Sequence, residues 1–552
     1  MQRIISRFLL AASIATAFCI FASAQTQPAP SGLFFQPGGG ATWDPTVIYA
    51  NGKYYMFTMY HRDSVFLATS ADGVHWQDYG VVLKAEGFKN NRVIKQYVAK
   101  VGDKYIMDYG AFADDNSKNN LLRFYESSDL LHWTHLYDVP IDPQFYRTDG
   151  RWDHMFMIPK DDKSPAGGCW GYVVADPIDH GGVGMMDSAD CIHYKPIKAP
   201  EITADFRIPT MEEGGIKKIG NKYYLIGGNV NHYGFSGYGV YTFVSDSPTG
   251  PFHPDLDAYR LTGTSGMEDV PYVHVLACFV KDSPEDLVSD PFTFGFGGET
   301  GVNGVDGKGT WFLPMRKAIV DPQGHLRLAY WKQNDLAKGN AIEIDTAKNT
   351  VVFPPGQTES TSIVGVHNDS SSIAIDTNND WSKFPWLAGN GTKKAVVVFD
   401  QKFDLNKGIV VEGKINARAL LNRMQMNPYG DARNNYAGFF IEGKERGTGT
   451  GIMLQVGGPQ WRASKIGHVS FGTTFNFETQ DVTGPPSATV TGLDDGKDHT
   501  FRLWLRGSQV ELYIDDLLMQ SFFFSTGSGR IGFITQEGET TYSDLKVYEL
   551  NL

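Results

Sequence analysis

The stretch WDPTVIYANGKYY, Trp43 to Tyr55, constrains this chain more than any other, because versions of it return through the N-terminal half. VIYANGKYYMF from Val47 aligns with VAKVGDKYIMD from Val98 and IKKIGNKYYLI from Ile216. Looser copies start at Phe156 (FMIPKDD, then CWGYVVA) and at Ile319 (IVDPQGHLRLAYW). Each is an apolar strand, a tight polar turn and an aromatic strand, the pattern of a β-hairpin. Three residues before the lead position of each copy stands a charged residue: Asp44, Lys95, Asp153, Glu213 and Arg316. Five ionisable groups at one repeated position predict a ring of side chains about a common axis.

A second phrase sets the period. Ser70-Ala71-Asp72, closed by Trp76, recurs from Ser127 (closed by Trp133), from Ser188 (closed by Tyr194) and in degraded form from Ser245. Its starts lie 57, 61 and 57 residues apart, about one four-stranded sheet each. In such a phrase the Asp accepts backbone N–H bonds within the turn and the aromatic packs over it, so these Asp, His and Trp residues read as structural. A period of this size in a Gly-rich, turn-rich chain predicts an all-β fold whose first part is a five-bladed β-propeller. The five charged residues would open its innermost strands and face one funnel.

From about Ala341 the period is lost. Short alternating runs such as GIVVEGKINA, HTFRLWLRG and QVELYIDDLLMQSFFF then predict a C-terminal antiparallel β-sandwich of concanavalin type. The expected organisation is a signal peptide over 1–24, the propeller over 33–345, a connecting segment over 346–395 and the sandwich over 396–552. The signal reading rests on Arg3 and Arg7, an apolar run from Phe8 to Phe21 and Ala22-Ser23-Ala24 before Gln25, and it predicts a secreted or periplasmic protein. The run is too short for a membrane span. Of the three cysteines beyond it, Cys169 and Cys191 lie in one repeat and could pair or stay as thiols, and Cys278 stands apart. No Cys/His spacing reads as a metal site and no cofactor is implied. The formal charge of −13 argues against nucleic acid as a partner, and the oligomeric state stays open.

Trp-Asp-Pro at the first blade, Arg151-Trp152-Asp153 at the third and Glu213-Gly214-Gly215 at the fourth resemble the motifs of the five-bladed propeller glycosidases of families 32, 43, 62 and 68. The layout is closest to family 32, with motif details like those of family 43. The resemblance implies a secreted glycoside hydrolase, exo-acting on furanosides in the manner of a β-fructofuranosidase, with an oligo- or polysaccharide substrate. Asp44 would be nucleophile or base, Glu213 the general acid and Asp153 the stabiliser. An arabinofuranosidase or xylosidase of family 43 type, or a non-catalytic carbohydrate-binding propeller, is the alternative. Glu212 competes with Glu213, since strand alternation turns only one of them inward, and Asp149 competes with Asp153. Lys95 and Arg316 would balance charge in the funnel. Trp43, His61, Trp152, His154 and His232 are the candidates for stacking on a sugar or holding its hydroxyls.

Overall fold

The computed structural model describes residues 34–86, 92–111, 121–161, 167–230, 232, 238–263, 272–274, 276–294, 310–352, 365–368, 372–376, 394–419, 436–444, 448–456, 464–471, 475–481, 493, 496–523, 527–536 and 538–552. The expected signal peptide lies outside the described residues. Four sheets follow in chain order, each a meander of antiparallel strands whose first strand is the innermost. Blades 1 and 2 open with Thr42–Ala50 and Ile94–Val101, and blades 3 and 4 with Trp152–Pro159 and Glu212–Ile219. The hairpins of the repeat set this register: Val47 pairs with Met56, Val98 with Met107 and Ile216 with Leu225.

The fifth blade departs from the sequence expectation. Its strands run Cys278–Phe279, Leu287–Ser289, Arg316–Val320 and Leu326–Tyr330 from the inside outward. The hairpin carrying the repeat motif therefore forms the two outer strands, and the innermost strand begins at Cys278. The ring closes beside it, where Tyr49 N donates to Lys281 O (2.9 Å) and Lys281 N to Val47 O (2.9 Å).

The Ser-Xaa-Asp phrases are the turn devices their chemistry suggests. Asp72 Oδ1 accepts from the backbone N–H groups of Val74 (2.9 Å) and His75 (2.8 Å), and its other oxygen takes His75 Nδ1 at 2.8 Å. Burial pushes against its charge, yet these donors draw its pKa down to about 2. Asp129 and Asp190 repeat the arrangement with His132 and His193. Cys169 and Cys191 are joined as a disulfide within blade 3, and Cys278 is a buried thiol.

The sandwich sets a separate seven-stranded sheet against a sheet that continues from blade 5, with Phe439, Phe501, Phe533 and Tyr542 interleaved between them. Strands Asn349–Val352 and Ile373–Asp376, from the segment expected to be a connector, add to these sheets. The sandwich docks on blade 5 edge to edge: Ala329 pairs with Leu517, and Tyr330 N donates to Asp516 O at 2.7 Å. Apolar packing seals the joint, with Trp504 against Phe34 and Tyr330.

Arg316 belongs to this joint and not to the funnel. It is fully buried and ion-paired to Asp290 and to Glu511 of the sandwich, with Ser521 Oγ 3.1 Å away. The repeat register places Arg316 on an innermost strand, whereas its strand is the third of blade 5.

Candidate active site

The innermost strands do not enter the funnel as regular β-structure. A bulge interrupts blade 1 between Trp43 and Thr46, blade 2 between Ile94 and Gln96, and blade 4 between Glu213 and Gly215. A bulge adds one residue and re-aims the side chains beside it. In blades 1 and 2 the left-handed residue is the charged one, Asp44 at φ 50° and Lys95 at φ 38°. Blade 4 puts its left-handed residue one step later, at Gly215 (φ 110°). Side chains would not fit there: a Cβ on Gly215 would meet the Phe156 ring at 2.6 Å, and one on Gly214 the Ala277 carbonyl at 2.2 Å. Glu213 thus stays on the regular strand and turns to the interior, leaving its neighbour Glu212 on the pocket side.

One hydrogen-bond clamp ties the first two bulges together. Gln96, fully buried, donates from Nε2 to Asp44 O (3.0 Å) and Phe57 O (2.6 Å), carbonyls beside the interrupted ladder. Thr46 Oγ1 returns a bond to Gln96 O at 3.1 Å. An unsatisfied buried carbonyl costs about 1–3 kcal/mol, so this exchange holds Asp44 in its unusual backbone conformation.

The upper layer of the site is a chain of charges. Arg151 bonds Asp153 Oδ2 through Nε (2.8 Å) and a second, shorter contact, and Glu212 Oε1 through Nη1 (2.8 Å). Tyr238 donates its hydroxyl to Glu212 Oε2 at 2.5 Å. Asp44 faces this group electrostatically, together with Lys95. Asp44 and Glu212 keep part of their surface open, whereas Asp153 is buried apart from its contact with Arg151. Burial pushes the Asp44 carboxyl up to about 7; Lys95 opposes the rise and the Glu212 carboxylate adds to it. Burial acts on Glu212 in the same direction, but Arg151 and Tyr238 outweigh it and hold this carboxyl below its ordinary range. Asp153 is raised by burial, with Arg151 opposing.

Beneath lies a second layer. Glu213 is fully buried, and neither carboxyl oxygen has a hydrogen-bond partner among the described residues. His154 Nε2 donates to the Glu213 carbonyl at 2.8 Å and sits 3.4 Å from its carboxyl. Burial raises Glu213 well above the usual carboxyl range and drops His154 well below the usual imidazole value, favouring the neutral form of each. Lys95 Nζ reaches Cys278 Sγ at 3.2 Å.

Of the sequence candidates, the structure brings Asp44, Lys95 and Asp153 together at the hub, with Glu213 below them. Trp152 is fully buried and spends its Nε1–H on Val139 O (3.1 Å), so it is core and cannot stack on a ligand. His232 is buried among Phe206, Tyr241 and Tyr259 and bonds Tyr259 Oη at 2.8 Å. His154 is likewise closed off from the funnel. Trp43 and His61 remain at the mouth, Trp43 partly exposed and His61 exposed with its ring against Tyr60. Asp149 is exposed and engaged by Arg147, away from the pocket. Arg151, Tyr238 and Cys278 are not singled out as site residues by the sequence motifs, and Glu212 enters there only as the competitor of Glu213. The Glu212-Glu213 ambiguity could have been read from the glycine pair that follows, since Gly214-Gly215 is where a bulge forms most easily.

No protein-family model and no curated protein sequence matches this chain. Solved structures do. The sucrose-6-phosphate hydrolase of Lactobacillus gasseri superposes with a TM-score of 0.61 at 14% identity, covering 96% of this chain and 95% of that one. A variant of the GH32 β-fructofuranosidase of Bombyx mori, solved with sucrose, gives 0.59 at 12%, covering 94% and 93%. A variant of fructan 1-exohydrolase IIa from Cichorium intybus, solved with 1-kestose, gives 0.61 at 12%, covering 95% and 98%. What the chain shares with these proteins is their fold, a five-bladed β-propeller followed by a β-sandwich.

Proposed function

We propose that this protein is an exported glycoside hydrolase that removes terminal furanosyl units, with a β-fructofuranoside as substrate. The observation that carries the reading is the convergence of Asp44, Asp153 and Glu212 from three blades on one hub, with Arg151 bridging two of them. Glycoside hydrolysis needs two carboxyl groups across the scissile bond, one ionised and one protonated. Asp44 attacks the anomeric carbon and carries the glycosyl group. Glu212 gives its proton to the leaving oxygen and then takes one from the incoming water. Asp153, gripped by Arg151, holds sugar hydroxyls as positive charge develops on the ring. The acid role passes here from Glu213, the residue expected from sequence, to Glu212. The shared fold with proteins solved with sucrose and 1-kestose supports the substrate class.

The proton count supports the chemistry. Three carboxylates face two cations, Lys95 and Arg151, so one proton makes the site neutral, as burial favours. Burial, which pushes Asp44 up to about 7, favours that proton on Asp44, and reaction requires it on Glu212. The two arrangements are tautomers of one protonation state of a coupled pair. The test is incubation with sucrose, 1-kestose, arabinofuranosides and xylosides, with products separated by chromatography. Release of free fructose that D44N abolishes is expected. Release of arabinose or xylose would move the substrate to the family 43 type, and binding without turnover would leave a carbohydrate-binding propeller.

A further inference from the structure

The lower layer contains one group that stays charged. Glu213, Cys278 and Asp108 are kept protonated by burial, Asp108 with one oxygen taking Met155 N at 2.7 Å, and His154 is neutral. Lys95 remains an ammonium: burial opposes its charge, but the Cys278 sulfur that accepts its N–H at 3.2 Å, the Asp44 carboxyl and the ionised Glu212 together outweigh burial. The groups facing it come from every blade that meets at the hub. They are Asp44 from blade 1, Asp153 and His154 from blade 3, Glu212 and Glu213 from blade 4, and Cys278 from blade 5; Arg151 adds a like charge to the upper layer. Glu212 and Asp153 already share Arg151. Among the described residues Asp44 has no such ion pair, and Lys95 comes first among the charges acting on it, ahead of Arg151. The backbone geometry fits this pairing. Lys95 sits on a left-handed bulge residue, and the next residue, Gln96, holds the Asp44 carbonyl.

We infer that Lys95 is a positioning residue whose ammonium, fixed beneath the pocket by Cys278, is the dedicated counter-charge that lets Asp44 give up its proton. The inference rests on the proposed role of Asp44. Without that ammonium the shared proton would lie more heavily on Asp44, and the reactive tautomer with the proton on Glu212 would be rarer. Each unit of added proton affinity at Asp44 reduces that tautomer about tenfold.

The direct test reads Asp44 without relying on turnover. Carbodiimide couples to protonated carboxyl groups, so the pH dependence of labelling at Asp44, read by peptide mass spectrometry, reports its titration. In the wild-type protein the midpoint is expected near 7, and in K95M at least one unit higher, with K95R close to wild type. K95Q replaces K95M if the latter does not fold, as judged by circular dichroism. E213Q should leave the midpoint in place, because Glu213 is already neutral. An unmoved midpoint in K95M or K95Q overturns the inference, and a midpoint that falls in E213Q overturns the neutral lower layer. On a hydrolysed substrate, K95M should lower the plateau of kcat/KM about tenfold and move its alkaline limb upward, with KM little changed. A wild-type protein that labels as expected but hydrolyses nothing would contradict the proposed function and leave the Lys95–Asp44 coupling standing.

Discussion

Tyr238 donates its hydroxyl to Glu212 across 2.5 Å, and the contact depends on an absent side chain. A Cβ on Gly228, in the neighbouring strand, would lie 2.0 Å from that hydroxyl. Tyr238 favours the ionised form of Glu212, so Y238F should raise the proton affinity of this carboxyl. The pair then takes up its second, inactivating proton at higher pH. The acid limb of kcat/KM is expected to move up by about half a unit to one unit, the equivalent of one hydrogen bond. G228A should do the same by displacing the ring, and a limb unmoved in both variants would separate Tyr238 from the acid.

The alkaline side reports Asp44. The reaction needs one proton in the Asp44–Glu212 pair, and the last proton leaves when Asp44 titrates, at about 7. The sign is therefore a plateau in mildly acidic solution and a fall of about tenfold per pH unit above 7. Steady-state rates across pH 4–9 check it, and activity that rises through 7 would contradict the proton placement.

Gln96 is predicted to matter for stability and for activity together. Q96L removes both donors of the clamp and leaves the carbonyls of Asp44 and Phe57 unsatisfied. A loss of about 1–3 kcal/mol in unfolding free energy is expected, together with slower turnover as the bulge relaxes. Denaturant melts and initial rates measure the two effects, and loss of stability at full activity would show that the clamp does not position Asp44.

The domain joint gives a separate expectation. R316M leaves Asp290 and Glu511 buried without their cation, which costs about 3–5 kcal/mol when one partner of a buried pair is removed. The joint contributes to folding and not to the funnel. The midpoint of thermal unfolding should therefore fall, while KM on small substrates holds in the folded fraction.

The scaffold was legible in the sequence because hairpins repeat locally: turn residues and alternating apolar positions fix each blade without reference to the rest of the chain. What was not legible came from backbone irregularity and from strand order. Glu212 and Glu213 are consecutive on one regular stretch of strand just before a bulge and differ only in the face they occupy, and the repeat register alone points to Glu213, the buried one. Arg316 carries the repeat motif on a true hairpin, but blade 5 uses that hairpin as its outer half, its innermost strand being the two residues Cys278–Phe279. Trp152 and His232 have the right chemistry for a sugar, yet both are spent on packing and internal hydrogen bonds. Arg151 belongs to the blade 3 motif, but its grip on two carboxylates forms only where blades 3 and 4 stand side by side.

The assignment of the acid role to Glu212, and not to the fully buried Glu213, decides how the proposed reaction releases the leaving sugar. Its most direct test is kcat/KM for E212Q and E213Q, each measured on the best furanoside substrate at the wild-type optimum. A loss of about 10²–10⁴-fold is expected for E212Q, the usual contribution of a general acid, and a value within about threefold of wild type for E213Q. A large loss in E213Q with E212Q near wild type would contradict it.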